Sequence, residues 1–170
     1  QQLYEGVEGS GGGLITYMRT DSLNLSEESL KAARETIIKK YGENFALAIP
    51  RKFKNKSKGA QEAHEAIRPT DPSKNPESLK THLTPQQYKL YNLIWRRFIA
   101  CQMEPAIFDT TTADILAKPM KEDVADYTFR ANGIAQKFAG FLVAYPSKFT
   151  ENILHDLKEK EELKSEKVEP

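Results

Sequence analysis

Two stretches of this chain place hydrophobic residues at helical spacing and are punctuated at both ends. After Ser26, at an N-cap position, Glu27 and Glu28 fall in a first turn, and Leu30, Ala33, Ile37 and Ile38 recur until Tyr41-Gly42. This pattern predicts a helix over about 27–41. Thr84-Pro85 is a second N-cap and first-turn pair, and Tyr88, Tyr91, Ile94, Trp95, Phe98 and Ile99 follow it, which predicts a helix over about 85–102. Beyond Pro105 the period shortens: 109–116 is rich in Thr, Ile and Ala, 127–131 and 134–138 alternate around the turn-forming pair Asn132-Gly133, and 141–145 closes the series. Three or four short strands are expected there.

The remaining segments are less periodic. Glycines cluster at 9–13, which reads as a flexible turn, and the apolar run Leu14-Ile15-Thr16-Tyr17-Met18 follows directly. Residues 42–83 are rich in Lys, Ser, Asn and Pro and read as a long loop region with one short helical piece around 60–66. The last twenty residues fit either a charged helix with Ile153, Leu154 and Leu157 as its apolar stripe, or partial disorder. The expected fold class is α+β: a mainly helical part over 1–104, a partial β-rich part with a few antiparallel strands over 105–149, and a charged tail over 150–170, helical or disordered.

Composition narrows the chemistry. The 170 residues carry one cysteine, so an internal disulfide is excluded, and with only three histidines a Cys/His zinc site is not expected. No apolar run approaches the roughly 18–20 residues that span a bilayer, and QQLYEGVEGS lacks the layout of a signal peptide, so no membrane partner and a cytoplasmic location are expected. The net charge of +1 is a cancellation: residues 1–105 hold 16 basic and 12 acidic side chains, whereas 151–170 hold four and seven. Five cations fall within 51–58, including Lys52 and Lys54, so binding to a polyanion is confined to the first portion of the chain.

Reactive side chains crowd into two strings, Leu14-Ile-Thr-Tyr17-Met-Arg19-Thr-Asp21-Ser22 and Ala60-Gln-Glu-Ala-His64-Glu-Ala-Ile-Arg68-Pro-Thr70. A phenol flanked by arginines and a histidine suits attack on a phosphodiester. The phenolate is a good nucleophile that can form a covalent phosphotyrosine, and a guanidinium stabilises the negative charge that develops on the phosphate oxygens. Spacing alone leaves other readings open. A tyrosine in an apolar run is more often half-buried core, a histidine among alanines is more often structural, and a cation run is more often a solvated surface. The glycines at 9–13 lack a following Lys-Ser/Thr, so a P-loop is excluded.

The string GLITYMRTDS, preceded by QQLYEG and followed by NLS, resembles the active-site tyrosine motif of type IA DNA topoisomerases, and AQEAHEAIRPT resembles a second segment of that family. LYNLIWRRFIACQMEPA and FRANGIAQKFAGFLVAYP are similar to the segments that follow, in the same order, and Met18 points to the bacterial branch. The resemblance implies that Tyr17 is the nucleophile that becomes linked to a DNA 5′-phosphate, that Arg19 positions that phosphate and stabilises the pentavalent state, and that His64 contacts the scissile or a neighbouring phosphate. Asp21 would orient the site, with helix capping as its alternative. Arg68 would be a backbone or structural contact, Thr20 and Ser22 local turn and cap residues, and Lys52 and Lys54 backbone grips.

The family also carries an acidic, Mg2+-binding toprim domain, and no Asp-x-Asp pair occurs here. The expectation is therefore an internal segment of an ATP-independent enzyme that cuts one strand of underwound or single-stranded DNA, passes the other strand and religates. Mg2+ would be bound outside this segment, and the segment alone would be inactive. Its partners would be DNA and the remaining domains of the parent, and unpaired strand edges in the β-rich arch raise a strand-exchanged homodimer. A non-catalytic module that only grips DNA backbone is the alternative. A tyrosine recombinase is disfavoured because its Arg/His/Lys constellation cannot be placed.

Overall fold

The computed structural model describes residues 1–53, 64–118, 125–147, 150–154 and 157–164. It divides into two compact units, Gln1–Ala106 with Ala139–Ser147, and Ile107–Phe138 with Lys148–Pro170.

The first unit is built on three helices: α1 (Gln2–Glu5), α2 (Glu27–Tyr41) and α3 (Pro85–Cys101). Helix α2 starts where the Ser26 hydroxyl accepts from the Ser29 amide, carries Glu27 and Glu28 in its first turn and Lys39 and Lys40 in its last, and ends at Gly42. Thr84 opens α3 with a capping box: its side chain accepts from the Gln87 amide while the Gln87 side chain accepts from the Thr84 amide. The apolar faces of these helices meet in one core that includes Leu3, Leu14, Ile15, Ala33, Ile37, Tyr91, Trp95, Ile99 and Met103.

The proline-rich stretch before α3 is a packed wall of this core, with Pro69, Pro72 and Pro76 fully buried. Its carbonyls are satisfied from α3: Trp95 Nε1 donates to the Pro72 oxygen at 2.8 Å and the Tyr91 hydroxyl to the Lys74 oxygen at 2.7 Å. Burial, aided by the Asp71 carboxylate, pushes the Tyr91 phenol up, so it stays a donor. Trp95→Phe should cost about 2 kcal/mol, since the Pro72 carbonyl loses its indole donor and the smaller ring leaves space. The check is a lower urea midpoint at unchanged slope.

The second unit contains one antiparallel pair, β1 (Ile107–Ala117) and β2 (Tyr127–Phe138). Here the structure corrects the expectation of three or four strands. Asn132-Gly133 makes no turn. The pair lies in mid-strand opposite Thr112 and Thr111, and 127–131 and 134–138 are one continuous strand. Gly133 is required by a close approach instead: a Cβ there would lie 2.9 Å from Leu154 Cγ. The expected strand at 141–145 is also absent. Gly140–Val143 is a 3-10 turn belonging to the first unit, tied by the Phe141 amide to the Glu104 oxygen at 2.9 Å. Residues 105–149 are thus not one segment.

The described residues of the tail do not form the expected charged helix. Asn152 bridges to Ile134 through amide–carbonyl bonds of 2.7 and 3.2 Å, and Gln136 donates to Glu151, so 151–152 line the outer edge of β2. Among the described tail residues there is no helical turn. The expected helical piece at 60–66 lies partly outside the described residues, and 64–66 are not helical. Among the described residues no helix is long and apolar enough to cross a membrane.

Candidate active site

The two reactive strings, some 45 residues apart in the chain, lie side by side. Ile15 bridges antiparallel to Pro69, the Thr16 amide donates to the Arg68 oxygen at 2.9 Å, and the Thr70 amide donates to the Leu14 oxygen at 3.0 Å. Thr16 adds its hydroxyl, which donates to the Ala66 oxygen at 2.7 Å and accepts from the Arg68 amide at 3.0 Å. Further along, the Ala66 amide donates to the Asn24 oxygen at 2.8 Å, and the buried Ser22 hydroxyl donates to the His64 carbonyl. The apolar residues Leu14 and Ile15 anchor the first string in the core, and these bonds fix the second string against it.

At the open end of this seam three of the expected residues converge. Arg19 Nη1 lies 3.1 Å from His64 Nε2, and His64 Nδ1 lies 3.4 Å from Asp21 Oδ2. Arg19 Nη1 also lies 3.4 Å from His64 Nδ1, so one guanidinium nitrogen faces both ring nitrogens. The order Asp21–His64–Arg19 places a guanidinium at this end of the seam, with no other side-chain partner for it among the described residues.

Tyr17 stands next to this triad in the chain, and the Arg19 amide donates to its carbonyl at 2.9 Å in a tight turn. The ring is 53% exposed, and its hydroxyl has no hydrogen-bond partner among the described residues. One aromatic ring touches it, that of Tyr4 on α1, edge-on with centroids 5.2 Å apart. The reading of Tyr17 as half-buried core does not hold, because the residue is displayed at the surface.

The other expected residues separate from this group. Arg68 is 11% exposed and turned inward: its Nη2 is 2.6 Å from Glu65 Oε2 and its Nη1 donates to the Pro69 oxygen at 2.8 Å. Glu65 in turn accepts from the Ser26 amide at 3.0 Å, which ties the second string to the start of α2. Burial raises the Glu65 carboxyl, but the Ser26 bond and the Arg68 guanidinium outweigh it and hold the group below the ordinary glutamate value. Lys52 pairs with Glu27 at the surface and not with Arg19, His64 or Asp21. Lys54 lies outside the described residues.

Three site residues escaped the sequence reading in whole or part. Tyr4 belongs to a different element from the nucleophile motif, and nothing local marks it. Thr16 had one visible signal, a hydroxyl inside an apolar run. Ser22 was read as a local turn residue, and it does accept from the Asn24 amide at 3.1 Å, but its proton goes to His64 across the seam.

No group of three or more His, Cys, Asp or Glu side chains among the described residues is arranged to hold a metal ion.

The family model described as DNA topoisomerase matches residues 1–170. DNA topoisomerase 1 of Rickettsia conorii is 46% identical over 100% of this chain, and that of Helicobacter pylori is 40% identical over 99% of it. The chain spans 22% of the length of each of these relatives. Full-length topoisomerase I from Thermotoga maritima superposes with a TM-score of 0.71 at 32% identity, covering 93% of this chain and 24% of that one. On these matches the chain belongs to the DNA topoisomerase family, in its bacterial topoisomerase I, type IA, branch.

Proposed function

We propose that this chain supplies the nucleophile of an ATP-independent enzyme that relaxes underwound DNA by cutting and rejoining one strand. The observation that carries the reading is the exposed Tyr17, whose hydroxyl has no hydrogen-bond partner among the described residues, standing in the chain beside an arginine held by His64, which Asp21 contacts in turn.

In this reading the Tyr17 oxygen attacks a DNA phosphorus. A Tyr–O–P bond forms as the P–O3′ bond breaks, the phenol proton is released, and the leaving 3′-oxygen is protonated. One phosphodiester is exchanged for another, so religation needs no external energy source. Arg19 takes the non-bridging oxygens of the phosphate, where charge grows in the pentavalent state. His64, through its link to Arg19, fixes the direction of that fork and contacts the same or a neighbouring phosphate. Asp21, beside Nδ1, holds the ring from its other side. Arg68 holds the seam together. Mg2+ would be held by residues outside this segment, where it would supply positive charge near the leaving oxygen.

DNA, single-stranded where it is cut, is the substrate of the longer protein, and the other domains of that protein are the partners of this segment. The 170 residues alone are expected to neither cleave nor relax DNA. The test is covalent. The full-length enzyme, incubated with a single-stranded oligonucleotide and Mg2+ and then denatured, should carry a nucleotide adduct that peptide mass spectrometry places on Tyr17. An adduct at another residue, or none, overturns the assignment.

A further inference from the structure

We infer that Tyr4 is a positioning residue for the Tyr17 ring, an inference that rests on Tyr17 being the nucleophile. A tyrosine that is 53% exposed and whose hydroxyl bonds to nothing described has little to fix its side chain. Exposed side chains exchange rotamers within picoseconds to nanoseconds, and attack requires the oxygen in one place. Tyr4 supplies the missing restraint: its ring meets that of Tyr17 at 66°, centroids 5.2 Å apart, in the edge-to-face arrangement that aromatic pairs prefer. The contact holds the ring and leaves the hydroxyl free, as a nucleophile needs.

Both partners of this contact are held from behind. Thr16 pins the backbone of Tyr17 to the second string through Ala66 and Arg68. On the other side Leu3 is buried in the core, and its carbonyl accepts from the amides of Leu14 at 2.7 Å and Ile15 at 3.3 Å, so α1 is fastened to the start of the nucleophile string.

The glycine-rich segment between them is a fixed turn and not a flexible one. Ser10 is buried, its hydroxyl donates to the Val7 and Gly12 carbonyls, and Lys74 Nζ donates to the Ser10 carbonyl at 2.8 Å. Gly13 sets the distance from α1: a Cβ there would fall 2.3 Å from the Tyr4 carbonyl oxygen, so any side chain at 13 must displace the Tyr4 backbone that carries the ring. The loop that carries no phosphate-binding signature thus acts on the reaction by seating an aromatic ring.

Single-turnover cleavage of a labelled single-stranded oligonucleotide by the full-length enzyme tests this. Tyr4→Phe keeps the ring and should cleave like the parent. Tyr4→Ala frees the χ1 wells of Tyr17 and should lower the saturating cleavage rate about three- to tenfold with the half-saturating oligonucleotide concentration unchanged. Gly13→Ala should show the same loss with Tyr4 still present, and Tyr4→Leu carries the expectation should Tyr4→Ala fail to fold. Cleavage by Tyr4→Ala within twofold of the parent, a defect confined to oligonucleotide binding, or a loss shared equally by Tyr4→Phe overturns the inference. A Tyr17→Phe control separates the two levels: an adduct that survives it removes the nucleophile assignment itself, whereas its disappearance alongside an unaffected Tyr4→Ala removes only the role of Tyr4.

Discussion

Tyr17→Phe in the full-length enzyme should eliminate the covalent DNA adduct and supercoil relaxation while leaving the fold intact. Removal of a covalent nucleophile costs on the order of 10⁴–10⁶ in rate, which places the variant below detection in a gel assay. The structure makes this a clean experiment. The lost oxygen has no hydrogen-bond partner among the described residues, so no buried group is orphaned, and the phenyl ring still fits against Tyr4. Stability should therefore change by less than about 0.5 kcal/mol, the usual range for a surface substitution. Affinity for uncleaved single-stranded DNA should also persist, because Arg19 and its His64 support are untouched. An active Tyr17→Phe enzyme, or one inactive only because it has lost its melting transition, contradicts the reading. Persistence of DNA binding in the same sample separates loss of chemistry from loss of grip.

What could be read from the chain depended on whether the deciding interaction was local. Ser26 and Thr84 each cap the helix that begins one residue later, and the apolar spacing in α2 and α3 needs only one turn of context; both helices lie where the pattern put them, α3 ending at Cys101. The Tyr17–Ser22 string could be picked out as a cluster of reactive side chains because its residues adjoin in sequence. Failures occurred where a distant partner overrode a local signal. Asn132-Gly133 is a strong turn pair, but the cross-strand register with Thr112 and Thr111 and the approach of Leu154 to Gly133 make it mid-strand. Phe141–Tyr145 alternates like a strand, but Gly140 packs against Pro105 and the Phe141 amide takes the Glu104 carbonyl, which rolls the segment into a 3-10 turn. Tyr4 was invisible for the same reason, since its meaning lies in a ring that the chain reaches only after the glycine loop.

The two arginines of the reactive strings should fail in opposite ways when replaced by alanine. Arg19 is exposed, and among the described residues its side chain contacts His64 alone, so Arg19→Ala should leave the melting temperature within a degree or two of the parent. It should nonetheless lower the cleavage rate about 10²–10³-fold, the usual loss when one preorganised donor to a developing oxyanion is removed. Arg19→Lys should recover only part of this, because a point charge cannot reproduce the fork. Arg68→Ala removes a side chain that is 11% exposed, strands Glu65, and takes a donor from the Pro69 carbonyl. Breaking a fully buried pair costs about 3–5 kcal/mol, and with the Glu65 side chain 32% exposed the expected cost here is about 2–3 kcal/mol. That corresponds to a fall in melting temperature of roughly 5–10 °C for a chain of this size. The pH dependence has a definite sign. The Glu65 carboxyl is held below its unfolded value, so its contribution is complete above about pH 5 and is lost as the pH falls below about 4 through the lowered folded value. The parent should lose stability over that acid range more steeply than Arg68→Ala, in which the cation that holds Glu65 charged is gone, and Arg19→Ala should follow the parent. Thermal melts from pH 3 to pH 7 on the three proteins decide the matter. Parallel curves for the parent and Arg68→Ala remove Glu65–Arg68 as the clamp of the seam, and a destabilised Arg19→Ala removes the separation between the arginine that acts on phosphate and the arginine that holds the site together.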